Sequence, residues 1–466
     1  MVRNGGYSLK AMKSWQKACL LVSVGVMSFS AAAHRDFDQG KMNQYLEALV
    51  KNNKAMLSVS IYEEDKLAYE KSTGYANLSQ GLKSTNKTKY KIGSISKTFT
   101  SVLVFQLIEQ GKLTLTTPLK DFYPDFPNSE KITIGMLLSH RSGIFNFTES
   151  PEIESYYTQH QTKQAMLDRL VAFEPVFEPG TSQQYSNSNY LLLSYIIEDV
   201  TKKSYGEVLS QNITDPLKLE NTIYCPSAHV CGDEAQSYFY QYPQWSPYLL
   251  GSSSVSLGAG AIISTSHDVS VFMRALFNGE LVSDSSLSSM KGASNETSKG
   301  LFKVPFYEKM AYSHNGRIEG FNSNTSHFEQ DNVTFTLTSN AINYTYNDIL
   351  IGIMSIYFGK DFELPDLHVD SKDLPIELST DQLKKYVGVY SSDSFELDIT
   401  AFIENNRLFA QATGQAALPL NAYSEQDFKF EPAGIHAVFS TTEEGGIDYT
   451  QFMLHQAGTI FFFERK

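Results

Sequence analysis

Ser94-Ile95-Ser96-Lys97 sets a hydroxyl and an amine three residues apart at the head of a long apolar run. At 3.6 residues per helical turn both fall on one face, so the amine can reach the hydroxyl. A serine needs a base to become nucleophilic, and a desolvated lysine can serve because burial lowers its pKa. The helix start also offers unpaired N–H groups to a developing oxyanion. The spacing alone is common, since Ser14…Lys17, Ser84…Lys87 and Ser288…Lys291 share it. Gly93, which permits close backbone approach, and the apolar surroundings of Lys97 set Ser94 apart. An N-cap serine followed by a snorkelling lysine fits the same four residues.

Two further motifs carry chemistry. Tyr185-Ser186-Asn187 follows the turn Glu178-Pro179-Gly180-Thr181. A tyrosine beside an ammonium is expected to have its pKa pulled down and to shuttle protons, and Asn187 offers donor and acceptor to an amide. An ordinary helix entry with a capping asparagine is the plainer reading. His314-Asn315-Gly316 precedes a strand-like segment. Glycine inside a strand often marks close approach of a ligand or another backbone, whereas Asn-Gly is also the strongest short hairpin signal. Ten scattered histidines contain no His-Glu-x-x-His, and no Cys/His cluster exists, so neither a metal nor another cofactor is expected. The nucleophile elbow Gly-x-Ser-x-Gly and the dinucleotide loop Gly-x-Gly-x-x-Gly are missing as well.

The elements that must hold these residues follow from periodicity. Strands are expected at 56–61 and 68–70, and again at 325–327 and 333–339. An apolar helix is expected over 92–110, closed by Gly111, and its all-round hydrophobicity implies burial. Further helices are expected at 134–139, 164–173, 190–202 and 266–278. Residues 363–379, with Pro365 and Pro375 among acids, read as a linker. Beyond it, short strands at 386–390, 396–399, 408–413, 428–431, 437–440, 449–454 and 459–464 alternate with turn signals, which suggests a small barrel or sandwich.

The chain of 466 residues has 42% hydrophobic residues, three cysteines and a net charge of −13. That length suits more than one core, and the composition excludes wholesale disorder. The acidity closes the basic-patch route to nucleic acid. Lys13 and Lys17, then an apolar stretch from Ala18 to Phe29, then Ser30-Ala31-Ala32-Ala33, match a secretory signal peptide over residues 1–33, with Met12 as an alternative start. The apolar stretch is shorter than a spanning helix requires, so no stable membrane span is expected in the mature chain. A periplasmic or secreted location follows, and in that oxidising setting Cys225 and Cys231 are expected to close a small loop as a disulfide.

The order of the three motifs resembles the class C β-lactamase, D,D-carboxypeptidase and esterase family of penicillin-recognising serine hydrolases. Other blocks over roughly residues 45–360 carry the same resemblance. They include Met136-Leu137-Leu138-Ser139-His140-Arg141-Ser142-Gly143-Ile144, Phe177-Glu178-Pro179-Gly180-Thr181, Asp215-Pro216-Leu217 and Ser264-Thr265-Ser266-His267-Asp268. The resemblance implies an α/β (α+β) fold with an antiparallel sheet, flanking helices and an all-helical lobe. It divides the chain into a signal peptide (1–33), a β-lactamase-like domain (34–362), a linker (363–379) and a lipocalin-like all-β barrel (380–466). It implies Ser94 as the acylated nucleophile, Lys97 and Tyr185 as the base network, and Asn187 as the group orienting the substrate amide. His314 and Gly316 would line the site, with the N–H groups of Ser94 and Arg317 as oxyanion donors.

Where true β-lactamases of this family carry Lys-Thr-Gly, this chain has His314-Asn315-Gly316, followed by Arg317 and Glu319 where esterase-like members have small residues and Pro. Histidine is mostly neutral at pH 7, so weak β-lactam turnover and a pH dependence near the ordinary imidazole value are expected. Arg317 is the candidate partner for a substrate carboxylate. The expected activity is hydrolysis, through an acyl-enzyme, of D-amino-acid peptides such as peptidoglycan stem peptides, or of small esters. A true β-lactamase and a non-catalytic peptide- or glycan-binding module are the alternatives. The intact Ser94, Lys97, Tyr185 and Asn187 argue against the second, because a pure binder has no need of a base.

Overall fold

The structure is a computed structural model. It describes residues 37–225, 234–241, 243–292, 297–367, 374–395, 397–413, 415, 417–456 and 459–466. The expected signal peptide, Cys231 and part of the expected linker lie outside the described residues; Cys225 is disulfide-bonded.

An eight-stranded sheet forms the frame. Its strands are β1 (Ala55–Glu63), β2 (Lys66–Thr73), β3 (Tyr238–Gln241), β4 (Gln244–Pro247), β5 (Phe302–Phe306), β6 (Lys309–Ile318), β7 (Phe321–Phe328) and β8 (Val333–Ile342). The main path runs β5-β6-β7-β8-β1-β2, antiparallel throughout, and β3 joins β8 in parallel. Strand β8 is buried at every position, because helices cover both of its faces. One face packs under α1 (Gln39–Lys51) and a C-terminal helix (Tyr346–Phe358), where Met42, Tyr45, Leu46, Ile349 and Ile353 meet Leu57, Val59 and Leu337. Neither of these two helices is among the sequence expectations. The other face meets the helix Ser266–Phe277, with Ser270 and Thr336 hydrogen-bonded at 2.8 Å.

The second core belongs to the helical lobe. The run expected at 92–110 divides into a 3₁₀ turn, Gly93–Ile95, and α2, Ser96–Glu109. Every α2 residue from Ser96 to Phe105 is buried, and Phe99 stacks on Phe272 at 3.6 Å. Helix α3 (Asn187–Thr201) is buried from Ser188 through Ile197, and it crosses the same core with Leu191, Leu192 and Ile196. It starts three residues before the expected 190, because Ser186 turns the chain in and Asn187 takes the first helical position.

The third core is the C-terminal barrel. Nine strands follow in chain order: β9 (Gly388–Ser391), β10 (Ile399–Glu404), β11 (Arg407–Ala412), β12 (Leu418–Pro419), β13 (Asn421–Ala422), β14 (Asp427–Phe430), β15 (Ile435–Thr441), β16 (Ile447–Gln456) and β17 (Thr459–Arg465). Their order, β12-β11-β10-β9-β17-β16-β15-β14-β13, nearly closes, with Leu420 carrying the chain from one edge to the other. Tyr386, Tyr390, Phe428 and Phe463 have no exposed surface and fill the interior. Strand β10 lies further along than the expected 396–399. Its inward residues Ile399, Ala401 and Ile403 alternate, and this period selects the register.

Two glycines set the one contact on which the site depends. Gly93 has φ +51°, and a Cβ there would stand 2.7 Å from the backbone N of Arg317. A Cβ on Gly316 would stand 2.0 Å from the carbonyl oxygen of Ile92 and 2.3 Å from Ser323 Oγ. Strand β6 and the Ser94 turn therefore touch through bare backbone. Gly316→Ala is expected to cost on the order of 1–3 kcal/mol by overpacking and to lower the denaturation midpoint. Gly359→Asn, in open space at φ +64°, serves as the control and should shift it little. Equal midpoints for both variants would show that the contact is slack.

Candidate active site

Ser94 lies in the 3₁₀ turn and Lys97 in the first turn of α2, where the helical rise brings Lys97 Nζ to 3.1 Å from Ser94 Oγ. Lys97 has no exposed surface. Its Nζ donates to Asn187 Oδ1 at 2.8 Å and to the Ala259 carbonyl at 2.5 Å. Burial drives its pKa well below the ordinary lysine value. A neutral amine has two N–H donors and one lone pair. With both donors committed to Asn187 and Ala259, the lone pair is left for the Ser94 hydroxyl.

Tyr185 donates its hydroxyl to Ser94 Oγ at 2.8 Å. Tyr185 is 37% exposed, with its hydroxyl engaged by Ser94. Its pKa moves upward, opposite to the sequence expectation: desolvation raises it and the Ser94 hydrogen bond offsets only part. The physical reason is that the expected ammonium is the buried Lys97, which is itself pushed toward neutrality. Tyr185 is therefore a proton donor at rest. Ser94 Oγ accepts from Tyr185 and can donate to Lys97.

Asn187 serves this pair from the first position of α3. Its Oδ1 faces Lys97, and its Nδ2 donates to Asn146 Oδ1 at 3.2 Å and to Thr148 Oγ1 at 3.1 Å. Both ends of the carboxamide are thus engaged inside the protein, where the sequence reading had them hold a substrate amide. Asn146, Thr148 and the Ala259 carbonyl were missed in the sequence. Nothing in the local pattern marks them, since the segment Asn146–Thr148 and the turn ending at Ala259 meet the Lys97–Asn187 pair only in the folded chain.

His140 was also missed as a site residue, although it sits in a block quoted for the family resemblance. It adopts φ +58°, accepts the Ser186 N–H on Nδ1 at 3.1 Å, and lays its ring 4.5 Å from that of Tyr185. Because Nδ1 accepts, the neutral ring carries its proton on Nε2. It thereby fixes both the entry to α3 and the plane of Tyr185.

His314 projects from β6 and is buried, with Nδ1–H donating to the Asn315 carbonyl at 2.7 Å and Phe302 edge-on at 5.0 Å. Burial pushes its pKa down to about 3. The expected pH dependence near the ordinary imidazole value is therefore not a property of this residue. A neutral His314 offers an acceptor nitrogen beside Lys97, where a lysine would offer a cation. Gly316 supplies the close approach of β6. Arg317 contributes only its backbone to this neighbourhood. By strand alternation its side chain leaves on the other face from His314 and Gly316, and its guanidinium lies over the Phe430 ring of the barrel at 5.1 Å. Glu319 turns inward instead. It pairs with Lys91 at 2.8 Å, both side chains nearly fully buried, and accepts from the Gly251 N–H at 2.8 Å and the Tyr157 hydroxyl. That pair ties the end of β6 to the segment just ahead of Ser94. Among the described residues no His/Cys/Asp/Glu group could hold a metal.

Neutral burial of His140 and His314, both held near about 3, and of His327, held near about 4, has a definite sign. Between pH 6.5 and these values the unfolded chain binds protons that the folded chain refuses. Their stabilising contribution is complete above about pH 6.5 and declines as the pH falls below it. His314→Gln should flatten the acid side of the stability curve, by on the order of 2 kcal/mol at pH 5. Denaturant titrations at pH 7.5 and pH 5 measure it, and an unchanged difference would contradict the neutral state.

The Beta-lactamase family model matches residues 42–345. Over 184 residues the chain is 34% identical to a teichoic acid D-alanine hydrolase of Staphylococcus aureus, covering 40% of this chain and 44% of that one. The chain thus spans about half the length of the curated relatives it matches. Among solved structures, a D-stereospecific amidohydrolase from Streptomyces sp. superposes with a TM-score of 0.57 at 26% identity, over 66% of this chain and 95% of that one. The octameric penicillin-binding protein homologue from Pyrococcus abyssi shares the fold over 92% of this chain and all of its own, with a TM-score of 0.62 at 21% identity. The motif order, the Ser94 turn against β6 and the family match over most of the chain lead to one assignment: this chain belongs to the Beta-lactamase family.

Proposed function

We propose that the chain is an exported serine hydrolase that removes D-aminoacyl groups from amides or esters through an acyl-enzyme on Ser94. The observation that carries this reading is the fully buried Lys97, whose Nζ lies 3.1 Å from Ser94 Oγ and contacts Asn187 Oδ1 and the Ala259 carbonyl, with burial holding its pKa well below the ordinary lysine value. In acylation Lys97 takes the Ser94 proton as Oγ bonds to the substrate carbonyl carbon. The oxyanion forms near the Ser94 turn and β6, where backbone N–H groups of Ser94 and Arg317 are the candidate donors. The tetrahedral adduct collapses, the bond to the leaving nitrogen or oxygen breaks, and Tyr185 O–H supplies its proton. Water then attacks the acyl-enzyme with the same groups in reversed roles.

The acyl donor follows from two supports. The curated relative is a teichoic acid D-alanine hydrolase, and the Streptomyces neighbour acts on D-configured amides by its name. Within the site, neutral His314 offers an acceptor, which suits the N–H groups of an amino-acid substrate better than the carboxylate of a penicillin. Among D-aminoacyl compounds, D-alanyl esters stand first and peptidoglycan stem peptides second. The β-lactamase reading has no comparable support at position 314.

Ser94→Ala should abolish labelling by a fluorophosphonate probe, whereas Ser288→Ala should leave it intact. Lys97→Ala and Tyr185→Phe should each slow acylation by roughly 10²–10⁴. The double variant should be little worse than the worse single one, because both act on the same oxygen. Stopped-flow acylation by a D-alanyl ester measures this. Independent, multiplying losses would break the shared network, and faster turnover of a cephalosporin than of any D-alanyl compound would replace the substrate assignment.

A further inference from the structure

The tip of the β6–β7 hairpin carries a glutamate where the backbone would favour a smaller residue. Glu319 has φ +48° and Gly320 φ +79°, the paired positive values of a tight hairpin turn in which Asn-Gly is preferred. The glutamate turns its carboxylate into the protein, and its two oxygens meet three other segments. Oε2 pairs with Lys91 Nζ at 2.8 Å, and Oε1 accepts from the Gly251 N–H at 2.8 Å and from the Tyr157 hydroxyl. The side chains of Lys91 and Glu319 are only 6% and 5% exposed, so water cannot replace either partner. Gly251 has to be bare here, because a Cβ would stand 2.2 Å from the Tyr157 ring and 2.7 Å from the Glu319 carboxylate.

Each segment leads to a part of the site. Lys91 precedes Gly93, whose backbone abuts the Arg317 nitrogen. The chain from Gly251 runs on to the Ala259 carbonyl, which accepts from Lys97. Tyr157 closes the stretch that begins with Asn146 and Thr148, the partners of Asn187. Glu319 itself follows Gly316 and Arg317 at the end of β6. One carboxylate therefore joins the four segments from which the site is assembled. From β7, Ser323 Oγ donates to the Ile92 carbonyl at 2.8 Å and closes the same junction.

Oxyanion donors act only when their N–H groups stand about 2.7–3.1 Å from the developing charge, and a misplacement of about 1 Å can cost on the order of 10² in rate. A buried ion pair is suited to fixing such a position, because a slip of the strand would strand both charges. We propose that Glu319 is a positioning residue: its buried pair with Lys91, braced by Tyr157 and Gly251, sets the Ser94 and Arg317 N–H groups at the separation that binds the oxyanion. This rests on the hydrolase reading above, and it assigns the carboxylate to stabilising the transition state rather than to the Lys97 base.

A D-alanyl ester and its thionoester, with C=S in place of C=O, test it. Sulfur is larger and a weaker acceptor than oxygen, so the ratio of the two rates reports how well the N–H donors are aligned. Lys91→Met combined with Glu319→Gln removes both charges together and leaves none stranded. This double variant should lower kcat on the ester by about tenfold to a hundredfold with KM within about twofold, and it should lower the ester-to-thionoester ratio of kcat/KM. Tyr157→Phe removes one hydrogen bond and no charge, and it should move both readings the same way by less. Lys309→Met with Asp331→Asn removes the ion pair at the other end of β6, formed at 2.7 Å, and should leave the ratio unchanged. A lower Tm with no loss of rate, a loss of rate at an unchanged ratio, or an equal change of ratio in the Lys309–Asp331 variant would overturn the positioning role. A wild type that hydrolyses neither compound would sink the hydrolase reading and the positioning role with it. A wild type active on the ester, matched by both Glu319 and Tyr157 variants in rate and ratio, would remove the positioning role alone.

Discussion

The structure depends on keeping one amine out of water. Lys97 sits on a helix enclosed on all sides, and an ammonium there would pay a heavy desolvation cost. The chain meets this by surrounding Nζ with two fixed acceptors and one hydroxyl, drawn from α3, from the turn ending at Ala259 and from the Ser94 turn. Neutrality then follows from burial, and basicity toward Ser94 follows from neutrality. The same burial sets the states of the groups around it. Tyr185 keeps its proton, and His140 and His314 stay uncharged.

The two large cores hold this arrangement from opposite sides. The helical lobe fixes Lys97, Asn187 and Tyr185 through the packed faces of α2 and α3. The sheet brings β6 against the Ser94 turn, and the Lys91–Glu319 pair locks the two together at the same end. A buried ion pair is weak evidence for stability but good evidence for register, because removing either partner strands the other charge. The structure separates the tasks of Glu319 and Arg317. Glu319 turns inward to hold the strand end, and Arg317 turns outward to the barrel.

The barrel is more than an appended unit. Its Phe430 and Arg407 reach the segment that follows Gly316, so its position is coupled to the strand that packs against the Ser94 turn. The match of fold over 92% of this chain with the Pyrococcus abyssi homologue extends well past the residues of the family model.

Much of the site was legible in one dimension. Ser94 and Lys97 meet through helical spacing alone, and an apolar run with no polar face announced the burial that lowers the lysine pKa. Strand alternation and turn residues marked the barrel, although β10 slipped by several residues, because only closure of the ring decides which alternating set points inward. The protonation states were not legible. Tyr185 was expected to lose its proton more easily beside a lysine, and it holds it more tightly, because burial discharges that lysine and desolvation acts on the phenol itself. Asn146, Thr148 and the Ala259 carbonyl carry no sequence signal, being loop groups that meet only once the core of the helical lobe has packed. Residue types and local spacing decided which atoms could react; long-range packing decided how much water reached them, and the charge on each depends on that water.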